Sequence, residues 1–118
     1  MLKEFHTVRQ ESTGYRRLFC DNEYDLYAWY DGLKGHLFGF QLVYFADDGQ
    51  KALTWTETEG YHHNSVDGWD SGRFNKTPLL VADGAFRPQA MLGRIVPLLE
   101  EVDPEVRQLV LARIAGFS

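Results

Sequence analysis

The stretch His62-His63-Asn64-Ser65-Val66-Asp67-Gly68-Trp69-Asp70 places two imidazoles and two carboxylates within nine residues. Groups of this kind can act as a general acid/base pair or as metal ligands. Their spacing fits no motif with a mechanism attached: there is no HExxH, no EF-hand loop and no glycine-rich phosphate loop. Adjacent histidines on a strand point to opposite faces, so at most one of His62 and His63 faces a given site. The catalytic candidates are His62 or His63, acting with Asp67 or Glu57. The competing reading, a solvated loop with one hydrogen-bonded histidine, is the one the residues alone favour. No metal site and no cofactor is assigned.

Arg16 and Arg17 are consecutive and so face opposite ways on a strand. A guanidinium fork suits carboxylate or phosphate recognition. An ion pair across strands with Asp25 or Glu57 is the simpler expectation. With Trp29, Trp55 and Trp69 these arginines form the candidate ligand-binding set. Cys20 is expected to be a small buried hydrophobe. No serine sits in a G-x-S-x-G context, so nothing supports a hydrolase of that type.

The chain that must position these residues has 118 residues and a net charge of −5. That length supports one domain, 1–118, with a core that needs no staples. A single cysteine excludes an internal disulfide and every multi-cysteine zinc site. No run approaches the ~20 apolar residues of a membrane span. Met1 to His6 is not followed by an apolar run, so no secretory signal is expected and the cytoplasm is the expected compartment. From Asp47 to Asp70, six acids face one base, Lys51. Acidity of this kind argues against binding a nucleic-acid backbone, which wants a basic patch. Of eight Phe, six Tyr and three Trp, all but three lie between Tyr15 and Phe74.

Most of those rings fall in segments that read as strands. These are Tyr15–Cys20, Tyr24–Tyr30, His36–Ala46, Gln50–Thr58 and Thr77–Ala82, with a short one at Tyr61–His63. Short connections, with Gly49 supplying a positive φ, make an antiparallel meander of four to six strands. Alternation sets Tyr27 and Trp29 against Leu26, Ala28 and Tyr30. It also sets Phe38, Phe40, Leu42 and Tyr44 against Leu37, Gln41, Val43 and Phe45. The strand from His36 is thus apolar on both faces and expected to be central and covered twice. Residues 59–77 read as a long polar loop, the expected rim of any site. After them, Pro88 to Val102 is helical with a break at Pro97, and Asp103-Pro104-Glu105 starts a second helix.

Six segments carry a resemblance. RRLFCD, DLYAWYD, GFQLVYF, ALTW, GYHHNSVD and TPLLVADGAF, in that order, are similar to those of a family of small uncharacterised bacterial proteins. The resemblance implies one α+β domain and no catalytic residue. The expected architecture is an α+β fold, an antiparallel sheet with two C-terminal helices on one face. The favoured function is a binding or interaction module using the aromatic sheet face and the 59–77 loop. The alternative is a small hydrolase or lyase using His62 or His63. Two helices ~10 Å apart cover only one face of such a sheet, so a homodimer through the other face is expected.

Overall fold

The computed structural model describes residues 1–5, 15–31, 35–46, 49–65 and 87–117. Within them, six strands form one antiparallel sheet in the order of the chain. The strands are β1 (Lys3–Phe5), β2 (Tyr15–Cys20), β3 (Tyr24–Tyr30), β4 (Leu37–Ala46), β5 (Gly49–Thr56) and β6 (Gly60–Ser65). Two helices follow, α1 (Pro88–Ile95) and α2 (Pro104–Ala115), with a 3-10 turn over Val96–Leu99 between them. The fold is therefore the expected α+β meander with two C-terminal helices.

Local chemistry accounts for the helices. Pro88 opens α1, where its missing N–H costs nothing. Pro97 cannot continue an α-helix, and the chain tightens into the 3-10 turn around it. Asp103 caps α2, accepting from the Glu105 backbone N–H at 2.9 Å, with Pro104 in the first turn. Val106, Val110 and Ile114 recur every four residues and are fully buried, which fixes the face α2 turns to the sheet.

Alternation along β3 and β5 sorts side chains as the sequence implies. Leu26, Ala28 and Leu53 are fully or almost fully buried against the helices, while Tyr27 and Trp29 lie half-buried on the outer face. Each fully buried aliphatic chain contributes about 1.5–3 kcal/mol.

Five details differ from the sequence reading. A first strand, β1, precedes Tyr15. Three residues alone carry too weak a pattern to announce a strand, and pairing with β2 defines it. In β4 a bulge opposite Trp29/Tyr30 shifts the register. Leu37 then pairs with Tyr30 and turns inward, 6% exposed, while Phe38 is only half-buried. Gly39 sits at this bulge, and a Cβ there would stand 2.6 Å from the Trp55 carbonyl oxygen. Residues Gly60–Ser65 form a regular strand, not a loop, because each pairs with β5. Cys20 is half-buried, since it points to the outer face beside Asp25; burial first, then Asp25 and Asp21, push its thiol pKa up.

The fifth difference is that β4 is central but not covered twice. The bulge removes Leu37 from its outer row, Phe45 is 63% exposed, and Gln41 and Val43 are half-buried. The outer face mixes Arg16, Asp25, Gln41 and Thr54 with Tyr27 and Trp29. The Thr77–Ala82 segment lies outside the described residues.

Candidate functional site

Registry arranges the inner, helix-facing side of the sheet in rows running across the strands. One row holds Arg17, Ala28, Phe40, Trp55 and Tyr61. The next holds Glu4, Phe19, Leu26, Leu42, Leu53 and His63. The third holds Tyr24, Tyr44, Lys51 and Ser65.

Helix α2 lies across the first row. Its cap Asp103 meets Arg17 on β2 at 3.1 Å. At its other end the Tyr61 hydroxyl on β6 donates to the Arg113 carbonyl at 2.6 Å. The Arg113 guanidinium stands 4.1 Å from the Trp55 ring centroid, a cation–π contact. The lengths agree: four strand spacings of ~4.8 Å span ~19 Å, and twelve helical residues rise ~18 Å. The third row lies four residues further along the strands, roughly 13 Å from that line and beyond the helix's own ~5–6 Å radius.

That third row is polar where the middle row is aliphatic. Lys51 is 3% exposed, and its Nζ donates to Ser65 Oγ at 3.2 Å. Tyr44, also buried, shares a 2.6 Å hydrogen bond with His63 Nε2, and the two rings stack at 6.1 Å. An ammonium taken out of water costs several kcal/mol unless it is compensated. Lys51, Ser65, Tyr44 and His63 therefore form one buried polar corner on β4, β5 and β6, with His63 and Ser65 half-buried at its rim.

The predicted residues distribute unevenly around this corner. His62 and His63 point to opposite faces, as strand geometry requires, and only His63 belongs to it. His62 Nε2 is shielded from solvent; Glu59 Oε1 lies 3.8 Å away, beyond hydrogen-bond reach. Glu57 meets neither histidine. It holds His36 at 2.5 Å, and this contact raises the His36 pKa above its ordinary value. Asp67 and Trp69 lie outside the described residues.

The expected arginine partners are also different ones. Arg17 grips Glu4 with two bonds of 2.8 Å and reaches Asp103 and the Tyr30 hydroxyl. Neither Asp25 nor Glu57 takes part, because Asp25 faces outward and Glu57 leaves the sheet after β5. The Glu4 contact raises the Arg17 pKa well above its ordinary value, against the opposing effect of burial. Arg16 lies on the outer face, 6.0 Å from the Tyr27 ring centroid. Trp29 shares that face, whereas Trp55 packs under Arg113. The ligand-binding set is thus split between the two faces.

Lys51 and Tyr44 were missed as site residues, although their signal was present. Lys51 shares its face of β5 with Leu53 and Trp55, and a lysine in step with core positions marks a buried charge. Among the described residues, no group of three or more His, Cys, Asp or Glu is placed to hold a metal ion, and no helix is long and apolar enough to cross a membrane. Comparison with family models, with curated proteins and with solved structures finds no match.

Proposed function

We propose that the protein is a small binding module whose ligand contacts the polar corner formed by Tyr44, Lys51, His63 and Ser65. One observation carries this reading. A lysine 3% exposed occupies a core-facing row, where an apolar side chain of similar length would avoid the desolvation cost. Such a cost is understandable where a charge has work to do, and perturbed groups concentrate at binding sites. A thermal-shift screen of small metabolites tests it. A stabilising ligand is expected to lose its effect in His63→Gln and Ser65→Ala. A ligand whose shift survives both substitutions places the site elsewhere.

A second reading, general acid/base catalysis, is favoured by the Tyr44–His63 hydrogen bond. The phenol orients the imidazole, as a partner group does in many acid/base sites. In this reading His63 works with Tyr44 rather than with Glu57. Turnover of an activated ester that disappears in both His63→Gln and Tyr44→Phe would favour the enzyme over the module.

A further inference from the structure

We propose that the ligand of the polar corner is a small anion, a carboxylate or a phosphate; this rests on the binding reading above. The donor inventory points there. The ammonium of Lys51 has three donors and no acceptor, and the hydroxyls of Tyr44 and Ser65 can each donate. An imidazole donates from one nitrogen when neutral and from both when protonated. Carboxylates are distributed the other way. Among the described strand residues, Glu4 is the acid on the inner face, and it lies at the opposite edge in the grip of Arg17. Asp25 faces outward.

The burial gradient gives the direction of approach. Ser65 and His63 are half-buried on β6, and Lys51 and Tyr44 are buried behind them on β5 and β4. An anion entering past β6 meets Ser65 and His63 first and Lys51 beneath. Charge-assisted bonds made there, away from water, are roughly twice as strong as neutral ones. The chain's acidity does not oppose this. Its net charge of −5 weakens long-range attraction, so selection for the anion has to come from short contacts.

The test is an amide NMR titration of the whole chain at constant ionic strength. Inorganic phosphate and succinate are the probes, and a neutral diol of similar size is the control. One of the anions is expected to give saturable shifts at residues 51, 63 and 65, and the arm that saturates names the class. Affinity is expected to fall at least tenfold in Lys51→Met and less than threefold in Arg16→Gln, on the outer face. Because Lys51→Met alters a buried position, Ser65→Ala and His63→Gln provide a second pair, each expected to weaken binding severalfold. Shifts confined to surface basic residues such as Lys3 and Arg94 would indicate an adventitious ion only and overturn the proposal. If neither anion binds while a neutral compound binds with His63 dependence, the anion is wrong and the binding reading stands. If nothing binds the corner, both fall.

Discussion

The two edges of the inner sheet face each bury a cation, and they treat it differently. At the β1–β2 edge the cation is an arginine. Its planar fork is met by Glu4, Asp103 and the Tyr30 hydroxyl, so the described partners include two carboxylates. At the β5–β6 edge the cation is a lysine whose described partner is the hydroxyl of Ser65. Arginine suits the first role because its five donors sit in a fixed geometry and it never loses its charge. Lysine is a point charge on a flexible stem and suits contacts that have to adapt. The first arrangement joins three segments distant in sequence: β1, β2 and the start of α2. The second joins neighbouring strands that the backbone ladder already holds. We conclude that the first edge serves the fold, and that the second is available for binding.

The largest effect is therefore expected from Arg17→Met. It removes a largely buried guanidinium and strands Glu4, at a cost of about 2–4 kcal/mol. Urea unfolding measures this, and a loss under about 1 kcal/mol would dissolve the distinction between the edges. Asp103→Ala follows, at about 1–2 kcal/mol, because it removes both the α2 cap and an Arg17 partner. Its pH dependence has a definite sign. The Glu105 backbone N–H, and then Arg17, hold the Asp103 pKa below its ordinary 3.8. The contribution is complete above that value and disappears as pH falls through the lower folded-state pKa. Wild type and Asp103→Ala should thus converge in strong acid.

At the other edge, Lys51→Met is expected to change stability by less than about 1 kcal/mol in either direction, since removing a buried charge offsets the lost hydrogen bond. A loss as large as that of Arg17→Met would make Lys51 a structural residue. The smallest effect belongs to the exposed His36–Glu57 pair, away from both edges. Glu57 raises the His36 pKa above 6.5. The pair's contribution is therefore full below 6.5 and fades as pH rises through the folded-state value. In Glu57→Gln the His36 NMR titration midpoint is expected to move back down.

Legibility in the sequence follows the range of the interactions. Alternation in YDLYAWY and the Asp103-Pro104-Glu105 start are local signals, and both give the observed element and its buried face. The β4 bulge is not local. It depends on how β3 and β5 pass Gly39, so simple alternation sets Leu37 and Phe38 on the wrong faces. Glu4 became a partner of Arg17 only through β1, a strand of three residues with no periodicity of its own. At the site, the opposition of His62 and His63 is readable from strand geometry. The pairing of His63 with Tyr44 is not, because it depends on the diagonal reach from β6 across β5 to β4.

The meander also has a kinetic consequence. Each strand bonds to its neighbour in the sequence, so the ladder can close through short loops in succession, with little entropy lost at each step. The ties to the C-terminal helices are of another kind. Lys3–Glu101, Arg17–Asp103 and Tyr61–Arg113 span 98, 86 and 52 residues. Helix docking is then a separate, later event that covers a sheet already paired. In the native state, the same seam is where the molecule would open first: amide exchange would report helix release at lower free energy than strand separation, with the inner face wetted while the ladder stays intact.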